Sequence, residues 1–276
     1  MTQSKRVLKL LPKRTRFSNK STGGKILIIG GAKGLYGAGV LSALAATKVG
    51  AGYTHLMTDL ANFSWLKFPD FIVHPIKLSE LKSKEDFFVG IGPGLGVNEK
   101  TKKIINFLIK NNFPNVVVDA DALTVIAKFA IFPLPSSWIM TPHEGELSRL
   151  IDMSSKEIKN NRTKALREGA LKYNCTILLK GAKTLILSPN SKKIISVDEG
   201  TPALSKAGTG DVLLGMIVAF RAQGLSSEEA CLVAAYIHGK VAQNWEKEGN
   251  DSLSLRPIDI IERLSKTLKK MRTKIY

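Results

Sequence analysis

The chain has 276 residues, of which 44% are hydrophobic and 23% are charged. This composition is typical of a folded enzyme with one large α/β domain or two small ones. No stretch approaches the roughly 20 apolar residues that cross a membrane. The two cysteines, Cys175 and Cys231, indicate neither a disulfide framework nor a cysteine zinc site. We therefore expect a cytoplasmic protein that has no membrane partner.

Basic residues outnumber acidic ones by 41 to 23, which gives a net charge of +18. The excess lies at the ends, because residues 1–25 contain eight basic and no acidic residues and residues 266–274 contain five more basic ones. We predict a basic N-terminal arm over residues 1–22, ahead of a domain over residues 23–276. Non-specific nucleic-acid binding is one alternative function of these ends. No helix-turn-helix, zinc-finger or aromatic RNA-binding pattern accompanies the charge, so no specific nucleic-acid partner is expected.

Short runs rich in Ile and Val predict strands that are buried on both faces, as in a parallel sheet covered by helices. In chain order these strands are residues 25–30, 87–91, 116–119, 138–141 and 176–180. Residues 184–187 and 193–197 are separated by Ser-Pro-Asn-Ser and predict a hairpin at the sheet edge.

Helical patterns lie between these strands, at residues 40–49, 100–110, 145–150 and 155–173, with Asn174 as a stop signal. Two apolar helices follow Asp211, and Pro257 begins an amphipathic last helix. No internal repeat or linker divides the chain. The sequence therefore predicts a single doubly wound α/β domain, with a mostly parallel central sheet flanked by helices.

Glycine and polar clusters follow the predicted strands, where ligands bind in sheets of this kind. They are residues 30–39, 90–96, 119–121, 141–146 and 180–184. We predict that these five loops converge on one rim of the sheet.

The common nucleotide and hydrolase motifs are absent from the sequence. Gly37-Ala-Gly39 is followed by Ser42 where a dinucleotide fingerprint needs a third glycine, and no Gly-Lys-Ser or Gly-Lys-Thr of a P-loop occurs. Neither G-x-S-x-G nor H-E-x-x-H is present. These absences disfavour a standard dehydrogenase, a P-loop ATPase, a serine hydrolase and a zinc protease. His55, His74 and His238 are interpreted as packing residues.

Residues 207–211, Ala-Gly-Thr-Gly-Asp, precede a strongly apolar helix that begins at Val212. The first amides of a helix have no partner within it, and the positive end of the helix dipole favours an anion there. Ala207, Gly208, Thr209 and Gly210 therefore predict a phosphate-binding cradle. Asp211 is placed to take a proton from a hydroxyl that attacks phosphorus. A tight turn with Asp211 as a helix cap is the simpler alternative.

Taken in order, six motifs between about Gly23 and His238 resemble the ADP- or ATP-dependent NAD(P)H-hydrate dehydratases of the ribokinase-like superfamily. The motifs are Gly-Leu-Tyr-Gly-Ala, Ile-Gly-Pro-Gly-Leu-Gly, Val-Asp-Ala-Asp-Ala-Leu, Thr-Pro-His-Glu-Gly-Glu, Leu-Leu-Lys-Gly-Ala-Lys-Thr and Gly-Thr-Pro-Ala-Leu-Ser-Lys-Ala-Gly-Thr-Gly-Asp. Some members carry an epimerase domain ahead of this one, and this chain is similar to the stand-alone dehydratase. The resemblance implies a ribokinase-like fold and repair of NADHX and NADPHX, which are nicotinamide cofactors damaged by addition of water.

The resemblance also implies roles for individual residues. Asp211 would deprotonate the ring hydroxyl as it attacks ADP or ATP, with Mg²⁺ bridging the nucleotide phosphates. Two further residue sets are implied: the hydrated cofactor would contact Ala38, Gly92, Gly94, Gly96, His143 and Asp211, and the nucleotide would contact Lys180, Gly181, Ala182, Lys183, Thr184 and Gly210.

Some of these residues also have simpler structural interpretations. His143 has a second reading as a helix cap, and Glu146 is a candidate to organise Mg²⁺ through water. Lys180 ends a buried strand, where its charge must reach solvent or a partner. A kinase for a small alcohol, such as a thiazole or pyrimidine precursor of thiamine, would use the same Asp211 and cradle. The family further implies a homo-oligomer, specifically a tetramer.

Overall fold

The computed structural model describes residues 2–59 and 70–273 of the chain. Nine strands form one sheet in the order β3-β2-β1-β4-β5-β6-β7-β8-β9. Their bounds are β1 Lys25–Ile29, β2 Tyr53–Thr58, β3 Ile72–Pro75, β4 Phe88–Ile91, β5 Val116–Val118, β6 Ile139–Met140, β7 Thr176–Leu179, β8 Thr184–Leu187 and β9 Ile195–Val197. The seven strands from β3 to β7 are parallel, and β8 and β9 pair antiparallel. The predictions of a mostly parallel sheet and an edge hairpin are confirmed.

Helices cover both faces of this sheet. Their bounds are α1 Gln3–Leu10, α2 Tyr36–Lys48, α3 Leu78–Leu81, α4 Glu99–Lys110, α5 Ala120–Lys128, α6 Glu144–Ile151, α7 Ser155–Asn160, α8 Arg162–Tyr173, α9 Thr209–Ala222, α10 Ser227–Lys247 and α11 Pro257–Arg272. One buried cluster lies between the sheet and the helices α1, α2, α9, α10 and α11. The other buried cluster lies between the sheet and α4 to α8. The doubly wound fold is thus confirmed.

The single helix predicted over residues 155–173 is two helices, because Asn161 interrupts it. Asn161 has non-helical backbone angles, and its side chain accepts a hydrogen bond from the Lys164 amide, so a new helix is capped at this point. Asn174 ends α8 in the left-handed conformation, as predicted. The break brings Arg162 to the first position of α8.

The segment before the sheet also packs on the domain. Val7 of α1 and Leu11 are buried in the cluster that contains α10, and Gln3 Nε2 donates a hydrogen bond to the Ser196 carbonyl of β9. Residues of the predicted basic arm therefore contribute to the core, and the domain boundary at residue 22 stays a prediction. None of the helices in the described parts of the chain is both long and apolar enough to cross a membrane.

Strand β1 lies inside the sheet between β2 and β4. The chain adds β2 and β3 on one side of β1 and then β4 and the later strands on the other side, so the direction of the strand order reverses there. Loops at the carboxyl ends of parallel strands meet beside such a reversal. Close backbone contact holds them there: the Gly92 amide, just after β4, donates to the Ile29 carbonyl of β1, and the Asp119 amide, just after β5, donates to the Ile91 carbonyl. The rim predicted from the glycine clusters is confirmed at this edge.

Candidate active site

Two adjoining cavities lie at the carboxyl edge of the sheet, around the start of α9. The larger has a volume of about 750 Å³ and the smaller about 320 Å³. The larger is lined by most of the predicted residues, namely His143, Lys180, Gly181, Ala182, Ala207, Gly208, Thr209, Gly210 and Asp211. Thr184 lines the smaller cavity, together with His238.

The helix start that was predicted as an anion cradle lines the larger cavity, and its role in binding phosphate stays a prediction. Gly208 precedes α9 with φ of 92°, a left-handed conformation that favours glycine. The first backbone bonds around this helix start run from Thr209 to the Lys206 carbonyl and from Val212 to the Gly208 carbonyl. Within residues 2–59 and 70–273, the amides of Ala207, Gly208, Gly210 and Asp211 have no hydrogen-bond acceptor. These four donors and the positive end of the helix dipole lie beside the larger cavity.

Asp211 lies half-buried in the first turn of α9, and its environment favours the protonated form. Burial raises the pKa of Asp211 to about 7, and the negative charges of Asp119 and Asp121 add to this rise, while Lys180 opposes it. A carboxyl group that titrates near neutral pH is suited to accept a proton from a substrate and release it again. Gly208 is the N-cap of α9 and Asp211 is the third residue of the helix, so Asp211 is not the N-cap, and its role as a general base stays a prediction.

Lys180 is the cation of this group, and it already has carboxylate partners. Its Nζ lies 2.7 Å from Asp119 Oδ1 and 3.6 Å from Glu146 Oε2. Burial alone lowers the pKa of Lys180, but the charges of Asp119 and Glu146 outweigh it and raise the pKa above its usual value. A Cβ at Gly210 would lie 3.5 Å from both Lys180 Nζ and Asp119 Oδ2. The Lys180 ammonium group and the Asp119 carboxylate therefore lie directly beside Gly210.

His143 caps α6, as its simpler interpretation proposed. His143 Nδ1 accepts hydrogen bonds from the amides of Gly145 and Glu146, at 3.0 and 3.3 Å. Glu146 Oε2 in turn accepts from the His143 amide at 2.8 Å. The capping assigns the proton of a neutral imidazole to Nε2, and the side chain is 55% exposed on the cavity wall. Contact between His143 and a ligand stays a prediction.

The predicted cofactor-binding glycines form a separate wall. A Cβ at Gly94 would lie 3.3 Å from the Ala38 Cβ, and the Gly96 amide donates to Asp121 Oδ2 at 2.8 Å. Gly92 has φ of 128°, and a Cβ there would lie 1.8 Å from the Asp119 carbonyl oxygen. Ala38 and these glycines do not line either cavity. They are close to the larger cavity through Asp119, whose carbonyl lies against Gly92 and whose carboxylate pairs with Lys180. The roles assigned to these residues stay predictions.

Arg162 was not anticipated from the sequence, although it joins two of the predicted loops. Its Nε lies 3.0 Å from Glu144 Oε1 at the start of α6. Its terminal nitrogens donate to the carbonyls of Lys180, at 2.9 Å, and Lys183, at 2.5 Å. Gly181 allows this approach, because a Cβ there would lie 2.5 Å from Arg162 Nη2. Only the break at Asn161, which begins a new helix, signals this position in the sequence.

Lys183 points away from both cavities, toward Asp198, whose Oδ1 lies 3.5 Å from the Lys183 Nζ. His238 is buried in the wall of the smaller cavity, and burial lowers its pKa to about 4. Its Nε2 has no hydrogen-bond partner among the described residues. Neither side chain supplies a cation to the larger cavity at neutral pH.

A doubly wound sheet with a glycine turn at a helix start and a carboxyl group beside it defines an α/β enzyme whose site suits a phosphate-containing ligand. The sequence model of the NAD(P)H-hydrate dehydratases matches residues 26–266. The chain belongs to this NAD(P)H-hydrate dehydratase family.

Individual relatives agree with that placement. An ADP-dependent (S)-NAD(P)H-hydrate dehydratase from Staphylococcus aureus is 34% identical, over 86% of this chain and 87% of the relative. The crystal structure of an ADP/ATP-dependent NAD(P)H-hydrate dehydratase from Bacillus subtilis, co-crystallised with ATP/Mg²⁺, is 27% identical with a TM-score of 0.86 over 97% of each chain. A ribokinase-like superfamily protein from Enterococcus faecalis is 25% identical with a TM-score of 0.87, over 98% of this chain and 95% of that one. The predicted ribokinase-like fold is confirmed.

The chain also matches bifunctional NAD(P)H-hydrate repair enzymes, and it spans about half of their length.

Proposed function

We propose that this protein removes water from NADHX and NADPHX at the expense of ADP or ATP and so restores NADH and NADPH. The observation that carries this proposal is that one cavity is lined both by Asp211, whose pKa is about 7, and by the free backbone amides of Gly210 and Asp211. The family and its dehydratase relatives support the choice of substrate.

The first step is phosphorylation of the ring hydroxyl. The Asp211 carboxylate takes the hydroxyl proton while the oxygen attacks the terminal phosphorus of the nucleotide, and the bond from that phosphorus to the bridging oxygen breaks. The cradle amides hold the charge that develops on the transferred group. The proton then lies on the Asp211 carboxyl, whose pKa is about 7, and is released to solvent.

The second step is loss of phosphate. Hydroxide is a poor leaving group, whereas phosphate leaves with the electron pair of the carbon–oxygen bond. The lone pair of the ring nitrogen assists this departure. Loss of a proton from the neighbouring ring carbon then restores the double bond. The sum is hydrated cofactor plus ADP giving reduced cofactor, AMP and phosphate, with ATP giving ADP in the same way.

Mg²⁺ would accompany the nucleotide phosphates and neutralise part of their charge. In the described ranges 2–59 and 70–273, no three His, Cys, Asp or Glu side chains cluster as a metal site. Phosphate oxygens would be the main ligands of this ion, and the buried Glu146 carboxylate would be its donor through water. A tetrameric assembly and a cytoplasmic location belong to the same proposal.

The test is incubation of the protein with NADHX, Mg²⁺ and either ADP or ATP, followed by the absorbance of reduced nicotinamide. We expect nucleotide-dependent recovery that Asp211→Asn abolishes. Asp86→Asn is the matched control: Asp86 pairs with Lys25 on the surface, so we expect this variant to leave recovery intact. Absence of recovery with either nucleotide would overturn the proposal, and accumulation of a stable phosphomonoester would support the small-alcohol kinase instead.

A further inference from the structure

The two basic ends of the chain meet at one place on the surface. Arg272 Nη2, in the last turn of α11, donates a hydrogen bond to the Pro12 carbonyl at 2.9 Å. A cleft of about 370 Å³ lies beside this contact, between the segment around Arg14, the end of α2 and the C-terminal half of α11. Its floor includes the buried apolar side chains of Val49 and Leu268.

This cleft is remote from the active site. It lies where α2 and α9 end, at Val49 and Gln223. Both helices begin at the opposite, carboxyl edge of the sheet, beside the cradle. No residue lines both this cleft and either active-site cavity.

The lining of the cleft is strongly positive. Arg14, Lys48, Lys269 and Arg272 all face it, and no acidic residue lines it. In the part of the chain that the structure describes, none of these four cations forms a salt bridge. Unneutralised charges of one sign in a concave surface repel one another and focus a potential that attracts anions.

Two neighbouring lysines on α11, outside the cleft, do have an acidic partner. Lys266 and Lys270 lie 3.6 and 3.9 Å from Glu248 Oε1, so their charges are partly neutralised. The two arginines of the cleft are instead fixed by neutral carbonyls, because Arg14 Nη2 donates to the Gly50 carbonyl at 2.9 Å and Arg272 donates to Pro12. A guanidinium has five N–H donors, so each arginine is held in position with donors still free.

We propose that this cleft is a second ligand site, which binds a small anion with two or more phosphate groups. Guanidinium and ammonium groups from separate segments suit several phosphates at once, since arginine forms paired hydrogen bonds with phosphate oxygens. Two carbonyls beside the cleft already accept hydrogen bonds, because Gln223 Nε2 donates to the Val49 carbonyl and Arg14 Nη2 donates to the Gly50 carbonyl.

A free polyphosphate fits better than a nucleic-acid strand. Sites for single-stranded nucleic acid combine positive charge with aromatic side chains on which bases stack. The lining of this cleft contains no aromatic residue. Its concave shape also encloses a compact anion rather than following an extended backbone.

The test is calorimetric titration of the protein with inorganic tripolyphosphate at an ionic strength of about 0.15 M. Excess AMP, which carries a single phosphate, is present to occupy the active site. The double variant Arg14→Gln/Arg272→Gln removes two charge-assisted contacts, so we expect affinity to fall about tenfold or more. The matched control, Lys103→Gln/Lys110→Gln, removes the same charge from the exposed face of α4. We expect that control to change affinity less than about twofold, since separated surface charges are screened. All variants keep the dehydration activity, because none of these residues lies at the active site.

Three results would overturn the proposal. One is equal affinity in the wild type and the cleft variant, and another is an equal loss in the control variant. The third is a short single-stranded RNA that binds more tightly than tripolyphosphate and depends on the same arginines, which would make the surface an RNA site. Lys48→Gln/Lys269→Gln provides a second cleft variant, with the same expected loss, if the arginine variant fails to fold.

Discussion

The pH dependence of the reaction tests the environment of Asp211 directly. With a pKa of about 7, Asp211 is ionised in about a tenth of the molecules at pH 6 and about nine tenths at pH 8. The base must be deprotonated to accept the hydroxyl proton. We therefore expect kcat/KM to rise with pH, by about tenfold between pH 6 and pH 8. The assay is the recovery of reduced nicotinamide at fixed ionic strength over this range.

Two substitutions should move this profile in opposite directions. Lys180→Met removes the positive charge that opposes the rise in the pKa of Asp211, so the midpoint should move to higher pH. Asp119→Asn removes a negative charge that adds to the rise, so the midpoint should move to lower pH. Lys183→Met is the control, because its ammonium group lies near Asp198 and outside both cavities. Its midpoint should equal that of the wild type, whatever its effect on rate.

One outcome would refute this reasoning. A phosphate monoester also titrates, with a second pKa of about 6, so the nucleotide alone can produce a rising profile. If wild type, Lys180→Met and Asp119→Asn share one midpoint, the titrating group is the nucleotide and not Asp211. Opposite shifts identify a group of the protein that both residues influence.

Three further predictions concern the rim and the core. Gly92→Ala should lower the free energy of unfolding in urea by about 2 kcal/mol or more, because its Cβ would strike the Asp119 carbonyl. Gly34→Ala is the control, because Gly34 has φ of 86° but open space around it, and it should lower the free energy of unfolding by only about 1 kcal/mol. Equal losses in the two variants would contradict the steric argument. Gly210→Ala should leave stability within about 0.5 kcal/mol but raise KM for the nucleotide, since its Cβ occupies the cradle; an unchanged KM would place the phosphates elsewhere. Stability should fall as pH drops from about 6.5 toward 4, because the buried His238, with a pKa of about 4, binds its proton mainly when unfolded. His238→Leu should remove up to about 3 kcal/mol of that fall, and an unchanged pH dependence would show that His238 is not responsible.

The sequence predicted the strands that have continuous apolar runs and failed where that pattern was absent. Strand β2, Tyr53–Thr58, mixes polar and apolar residues without a regular alternation and contains His55, and β3 is four residues long and ends in proline. The two histidines pack together, with their rings stacked 5.0 Å apart. Neighbouring strands therefore stabilise segments whose own composition predicts little. The helices α1, α3 and α5 were not predicted either, although α1 has a local start signal, since the Thr2 side chain accepts a hydrogen bond from the Lys5 amide.

The site shows the same division. The positions of the glycine turn and of Asp211 at the start of α9 follow from local rules, because a glycine turn before an apolar helix fixes where its free amides point. The contact between Lys180 and Asp119 joins residues 61 positions apart. No spacing rule places them together, and only the parallel alignment of β5 to β7 does so. Sequence reasoning thus identified which residues lie at the rim but could not say which of them pair with each other.

Arg162 has a consequence for the loop that follows β7. Its guanidinium donates hydrogen bonds to the carbonyls of Leu179, Lys180 and Lys183 and so stabilises the conformation of that turn. The conformational entropy of the turn is therefore lost when the chain folds and not when a ligand arrives. A nucleotide would meet a turn that is already rigid, and its affinity would not be reduced by the ordering of the turn.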